Sequence, residues 1–411
     1  MEPETPLPDL RTVESLMRQT TEVLALECGR PSGHAPAWSE HHWCAAQAVA
    51  VIHGISPLLS RRLRWQEPRH WREFLDLQWR HTFDRHRGIA ALIARIHGAA
   101  CDAHLSLLAL KGTALHDLAI YAPGERPMAD VDLLACESDL GASVELLQSL
   151  GYRESYRTRR ERTFEPQGPR KPSQFGEDAG NAIKIELHTR IAERLPVCEV
   201  SITGLLLPDS TTPGLQRYRS AAALMTHLLL HAAGNIRARA LRMVQLNDIA
   251  ALSLRLDAQQ WQTVLNGEDD QAWWAYPPLA LSARYFPDAI PAPVLSRARA
   301  ACPRLLRALC ERQQLSDVSL SYLWIQFCPG IEWSRSATEA LRFVRHRVYP
   351  SREMRAEIRQ CEATQSWALD TAWSRASRPR RIARWLTSRC PRDAAMAPVR
   401  AAWARAGMMQ R

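Results

Sequence analysis

The sequence predicts an α-rich α+β protein, a small mixed sheet flanked by N- and C-terminal helical regions. Three observations predict it. Apolar residues recur at helical spacing from Val13 to His97. They do so again after Pro213. Between these stretches lie short apolar or alternating runs punctuated by glycine, the signature of strands. A chain of 411 residues with 46% hydrophobic content can bury a core and divide into two or three units.

The first stretch, 1–12, is acidic and proline-rich and reads as a disordered N-terminus. It lacks a basic region followed by an apolar one, so it is not a signal peptide. Residues 13–103 form a helical region. Leu75, Trp79 and Phe83, then Ile89, Leu92, Ile93 and Ile96, place its last helix over about Arg72–Gly98, with a break near Gly88. The sheet core spans 104–207. HLSLLALKG reads as a buried strand ended by glycine, and Thr113–Tyr121 as a helix. DVDLLAC at 130–136 is a second strand. Ser138–Leu150 is a helix with Ser138 as its N-cap. Tyr152–Phe164 fits a hairpin or an exposed strand, and 166–181 a loop. AIKIELHT at 182–189 alternates as a half-buried strand does. A helical domain follows over 213–370, then a basic C-terminal tail over 372–411.

The net charge of +10 misleads unless it is located. From Ala372 onward there are ten arginines, no lysine and one acid, Asp393, which accounts for +9. The body is nearly neutral, so the high pI is no sign of a nucleic-acid groove. Trp373, Trp385 and Trp403 are interleaved in this tail. It reads as an accessory segment, either a solvated helical appendage or a contact for an acidic partner or an anionic surface. Ten scattered cysteines form no CxxC pair and read as reduced thiols, which points to a cytoplasmic protein without a disulfide framework or a zinc site. No run approaches the ~18 apolar residues of a membrane span, so no transmembrane segment is expected.

The candidate chemistry sits in the 104–207 core. Asp130 and Asp132 are two apart on a strand and share one face, while Val131 and Leu133 point into a core. Two carboxylates on one face suit a metal–nucleotide complex, because Mg²⁺ takes one or two protein carboxylates with phosphate oxygens and water. Alone, the pair also fits salt-bridged acids at a sheet end. Lys111, Gly112 and Thr113 end one strand and open a helix, where free N–H groups, a glycine and a hydroxyl can meet a phosphate. Glu186, between Lys184 and His188 on one strand face, offers a third carboxylate, or else an exposed partner for Lys184. Arg126, just before the acidic strand, is a candidate for a triphosphate oxygen. His227 and His231 are i, i+4 on one helix but lack the HExxH glutamate, so they read as core or pocket-lining residues. Asp248 reads as a helix cap or a partner orienting a histidine.

The run from LKGTALHDL through ERPMADVDLLAC to LLQSLGY, followed by IKIELHTR, resembles the uncharacterised nucleotidyltransferase family of the DNA polymerase β-like superfamily. The likeness covers about 70–260, including LNDIAALS. It implies a nucleotidyltransferase core with Gly112 and Thr113 as the phosphate-gripping turn. Asp130, Asp132 and Glu186 would hold two Mg²⁺ or Mn²⁺ ions. Lys111 and Arg126 would bind nucleotide, with His188 accessory. The implied activity moves a nucleoside monophosphate from an NTP to a hydroxyl or phosphate acceptor, in natural-product or polysaccharide biosynthesis. Alternatives are a non-catalytic nucleotide-binding regulatory protein, or a toxin-type enzyme acting on RNA or protein. Two departures stand out: Thr189 follows His188 where the family often has tryptophan, and Thr113 stands where many superfamily members have serine or glycine.

Overall fold

A computed structural model describes residues 7–66, 68–158, 160–168, 174–208, 212–266, 272–319, 328–350 and 393–409, with isolated positions between 352 and 387. Four helices open the chain: α1 (Leu10–Gly29), α2 (Glu40–His53), α3 (Ser56–Arg62) and α4 (Arg69–Asp102). Asp9 caps α1 by accepting from the backbone N–H groups of Arg11 and Thr12. Gly54, in the left-handed region at φ 64°, ends α2. The expected break at Gly88 does not occur; α4 runs unbroken through it for 34 residues. One glycine costs a helix only about 1 kcal/mol, and the buried face on either side of it outweighs that.

The α/β core follows: β1 (Ser106–Ala109), α5 (Lys111–Asp117), β2 (Asp130–Ala135), α6 (Leu140–Ser149), β3 (Tyr152–Arg157), β4 (Glu161–Pro166) and β5 (Lys184–His188). Tyr152–Phe164 is the hairpin alternative, with β3 and β4 antiparallel. Ser138 is not an N-cap: it lies in a 3₁₀ turn at Glu137–Asp139, and no side chain caps α6. Three short strands were not expected: the hairpin β6 (Ala192–Arg194) and β7 (Glu199–Ser201), and β8 (Gly214–Gln216). The main sheet runs β3-β4-β5-β2-β1-β8. β2 is parallel to β5 and antiparallel to β1, while β8 is parallel to β1. After α7 (Thr203–Leu206) come α8 (Ala221–Ala238), α9 (Met243–Ser253), α10 (Ala258–Asn266) and further helices.

The two faces of the sheet are buried against different partners. Val131, Leu133, Ile185, Leu187 and Phe164 pack with Ile89, Leu92 and Ile96 of α4 and Leu146 and Leu147 of α6. On the opposite face, Leu108 and Leu134 join a larger core that includes α1, α2, α8 and α9. The alternation of β2 therefore carries Asp130 and Asp132 onto the same face as Leu134, at the point where the helical core gives way to the site.

The last described helix, α11 (Asp393–Met409), runs against the reading of the basic tail as a solvated appendage over the part of 372–411 that it covers. Met396, Val399, Ala402 and Trp403 are buried in the larger core, and the Trp403 indole donates to His41 Nδ1 at 3.3 Å. Its apolar stripe outweighs the arginines that dominate the local composition. Trp373 and Trp385 lie outside the described residues. Among those residues no single helix is long and apolar enough to cross a membrane, and no cysteine is in a disulfide.

Candidate metal and nucleotide site

The site is built where β2 and β5 run side by side. Their register pairs Asp130 with Lys184, Asp132 with Glu186, and Leu134 with His188. Adjacent strands lie about 4.8 Å apart, so register alone brings Asp132 and Glu186 together. One ligand atom each from Asp132, Glu186 and His188 lie within 4.8 Å of one another. Asp130 stands at the mouth of the same face, partly exposed, and is not in that group. Lys184 does not neutralise Glu186; its ammonium is 3.1 Å from Glu165.

Asp132 is the hub. Its Oδ1 accepts from Lys111 Nζ at 2.8 Å and pairs with His188 Nε2 at 3.1 Å. Burial works to raise its pKa, but Lys111 and His188 hold it far below the ordinary carboxylate range. Lys111 is buried too, yet the charge and hydrogen bond of Asp132 drive its pKa above that of a free lysine. Burial, then repulsion from Asp132, Asp130 and Glu161, pushes Glu186 up to about 9. Asp130 is raised by burial and by Asp132. The cluster thus holds more carboxylate than its cations balance.

Glu161 was not anticipated. It lies on β4 opposite His188 in the ladder, with Oε2 3.9 Å from His188 Nδ1. The alternation that placed Glu186 and His188 on the site face could have found it, had the pairing of β4 with β5 been known.

The 110–113 turn faces these acids. Leu110 N–H donates to the Asp132 carbonyl at 2.9 Å, tying the turn to β2. Lys111 has φ 45°, a conformation costly for a residue with a side chain. Its N–H donates to Tyr218 Oη at 3.1 Å, and that oxygen is 2.7 Å from His227 Nδ1. Tyr218, just past β8, is a second residue missed from sequence, because nothing local marks it. Thr113 is 4% exposed and its hydroxyl has no partner among the described residues. A buried oxygen without a bond is a costly arrangement unless a ligand completes it.

Arg126 serves the turn differently from the expectation. It donates through Nε and Nη2 to Asp248 at 2.8 and 2.7 Å, and its Nη1 packs on Gly112. A Cβ on Gly112 would lie 2.5 Å from that nitrogen. The glycine is therefore needed for side-chain packing beneath the turn as well as for any approach from above. Asp248, in the middle of α9, caps no helix and orients no histidine among the described residues; it accepts from Arg126 and from Tyr121 Oη at 2.7 Å.

Arg85, on α4, is a third missed residue. It is 5% exposed and donates to the carbonyls of Met128 (3.0 Å) and Asn181 (2.6 Å). Those carbonyls precede β2 and β5, so one guanidinium anchors the lead-ins to both acidic strands. His227 is buried, and His231 pairs with Asn235 Nδ2 at 3.1 Å; neither joins a three-ligand group among the described residues.

A family model described as uncharacterised nucleotidyltransferase matches residues 39–272, more than half of the chain. The match begins earlier than the sequence motifs, just before α2, and ends beyond α10. No curated protein and no solved structure matches.

Proposed function

The chain belongs to this uncharacterised nucleotidyltransferase family, and on that premise we propose that it transfers a nucleoside monophosphate from an NTP to a hydroxyl or phosphate acceptor with the aid of a divalent metal. The observation that carries the reading is the convergence of Asp132, Glu186 and His188 within 4.8 Å beside the Lys111–Thr113 turn. Hard carboxylate oxygens on a rigid strand pair suit Mg²⁺ or Mn²⁺, and the surplus of buried carboxylate is what such an ion relieves. Asp132 and Glu186, with Asp130 at the mouth, are the residues that would hold it. When bound, the ion lowers the acceptor's pKa and offsets charge on the phosphates.

The rest of the work falls to the chain itself. Thr113 Oγ1, buried without a partner among the described residues, donates to a phosphate oxygen. Lys111 spans Asp132 and the nucleotide, while Arg126 holds the turn from beneath. In the transfer, the acceptor oxygen bonds to the α-phosphorus as the bond from that phosphorus to the bridging oxygen breaks. Pyrophosphate departs and the acceptor's proton is released to solvent. The expected test is isothermal titration of the four NTPs with Mg²⁺, followed by a pyrophosphate-release assay. Asp132→Asn should abolish Mg²⁺-dependent binding, and Glu186→Gln should abolish turnover with little effect on stability. Equally tight NTP binding in the presence of a chelator would refute the reading.

A further inference from the structure

The atoms that hold Asp132 also limit how many ions it can share. We propose that the Lys111 ammonium takes the place of a second metal ion, so that the site carries one divalent ion per nucleotide. This rests on the metal-dependent reading above and concerns the count alone.

In a two-ion site the metals sit about 3.5–4 Å apart and are clamped by shared ligands. A carboxylate that bridges them commits one oxygen to each. Here both side-chain partners of Asp132 fall on the same oxygen, with Lys111 Nζ at 2.8 Å and His188 Nε2 at 3.1 Å from Oδ1. A carboxylate oxygen has two lone-pair directions, so these two bonds fill Oδ1. Oδ2 is left for an ion.

The lysine is built into this position. Its side chain is 17% exposed, where a surface lysine would be solvated and mobile. Its backbone is pinned on both sides: Leu110 N–H bonds to the Asp132 carbonyl, and its own N–H bonds to Tyr218. The left-handed φ of 45° is maintained against its cost by those bonds. An ammonium has three donors. One is spent on Asp132, and the others can meet phosphate oxygens, as a second ion would. Asp132 Oδ2 and Glu186, with Asp130 nearby, give one Mg²⁺ its usual one or two carboxylates, and phosphate and water complete the shell.

The test is a Mn²⁺ titration of the full chain followed by electron paramagnetic resonance, run in turn with analogues of the four NTPs whose α–β bridge is methylene. The wild type is expected to bind one Mn²⁺ per chain, with the spectrum of an isolated ion. Lys111→Met keeps the length and removes the charge, and should bind a second, spin-coupled Mn²⁺. Lys111→Arg keeps the charge and should stay at one. Circular dichroism checks that each variant folds; the wild-type count decides the matter even if Lys111→Met does not. Two coupled ions in the wild type overturn the proposal, as does a folded Lys111→Met that still binds one. No bound Mn²⁺ at all in the wild type would instead overturn the metal-dependent reading itself.

Discussion

Asp248→Asn tests whether the turn is supported from beneath. The Arg126 and Asp248 side chains are 11% and 2% exposed, so the 0–1 kcal/mol typical of surface pairs does not apply. The carboxylate accepts three bonds, from Arg126 Nε (2.8 Å), Arg126 Nη2 (2.7 Å) and Tyr121 Oη (2.7 Å). Asparagine keeps a single acceptor oxygen and turns an NH₂ group toward the guanidinium. Breaking a buried pair on one side costs about 3–5 kcal/mol, and the retained oxygen places this change near the lower end, at about 3 kcal/mol. Combining Arg126→Met with Asp248→Leu should recover part of the loss, because no buried charge is left, while Tyr121 Oη still lacks the acceptor it had in Asp248. Glu311→Gln is the control: it breaks the Arg299 pair, whose side chains are 52% and 40% exposed, and should cost less than about 1 kcal/mol. Urea unfolding followed by circular dichroism reads all of these, with slopes compared to confirm that the denatured state is unchanged. A loss in Asp248→Asn no larger than in Glu311→Gln would refute the reasoning.

Three further outcomes are expected. Gly112→Ala sets a Cβ 2.5 Å from Arg126 Nη1, so calorimetry should show about 1–3 kcal/mol of lost stability together with weaker NTP binding. Trp403→Ala empties a site that is 1% exposed and should cost about 3–5 kcal/mol in urea unfolding, whereas an appendage would lose almost nothing. His53 is fully buried, and burial followed by the Arg242 charge pushes its pKa from 6.5 down to about 3. Below pH 6.5 the unfolded chain takes up a proton that the native state refuses until about 3, so stability rises with pH across that window and is lost on acidification. Each pH unit there is worth about 1.4 kcal/mol per such group. His53→Gln should flatten the slope by one proton, and an unchanged slope would remove His53 from the account.

What the sequence made legible was whatever is encoded at short range. Alternation alone put Asp130, Asp132, Glu186 and His188 on polar faces and the intervening Val131, Leu133, Ile185 and Leu187 in a core. The glycine after Lys111 marked the turn. Contacts between distant segments were not legible. Arg126 looks like a nucleotide ligand until Asp248, 122 residues away, is seen to occupy it. Tyr218 reaches Lys111 only because β8 pairs with β1, and β8 is three residues long with too little alternation to announce itself. In the last helix, charge composition obscured the spacing of Met396, Val399 and Trp403, which is the stronger physical signal.

The in-register pairing of β2 and β5 also sets how the gene can change length. Side chains alternate with period two, so deleting a single residue within β5 would exchange its faces. Ile185 and Leu187 would then line the site, and Glu186 and His188 would enter the apolar layer against α4. Compensating for it would require the same slip in β2. An insertion outside the paired strands adds only a slowly growing closure entropy. Insertions and deletions among relatives should therefore avoid the five residues of β5.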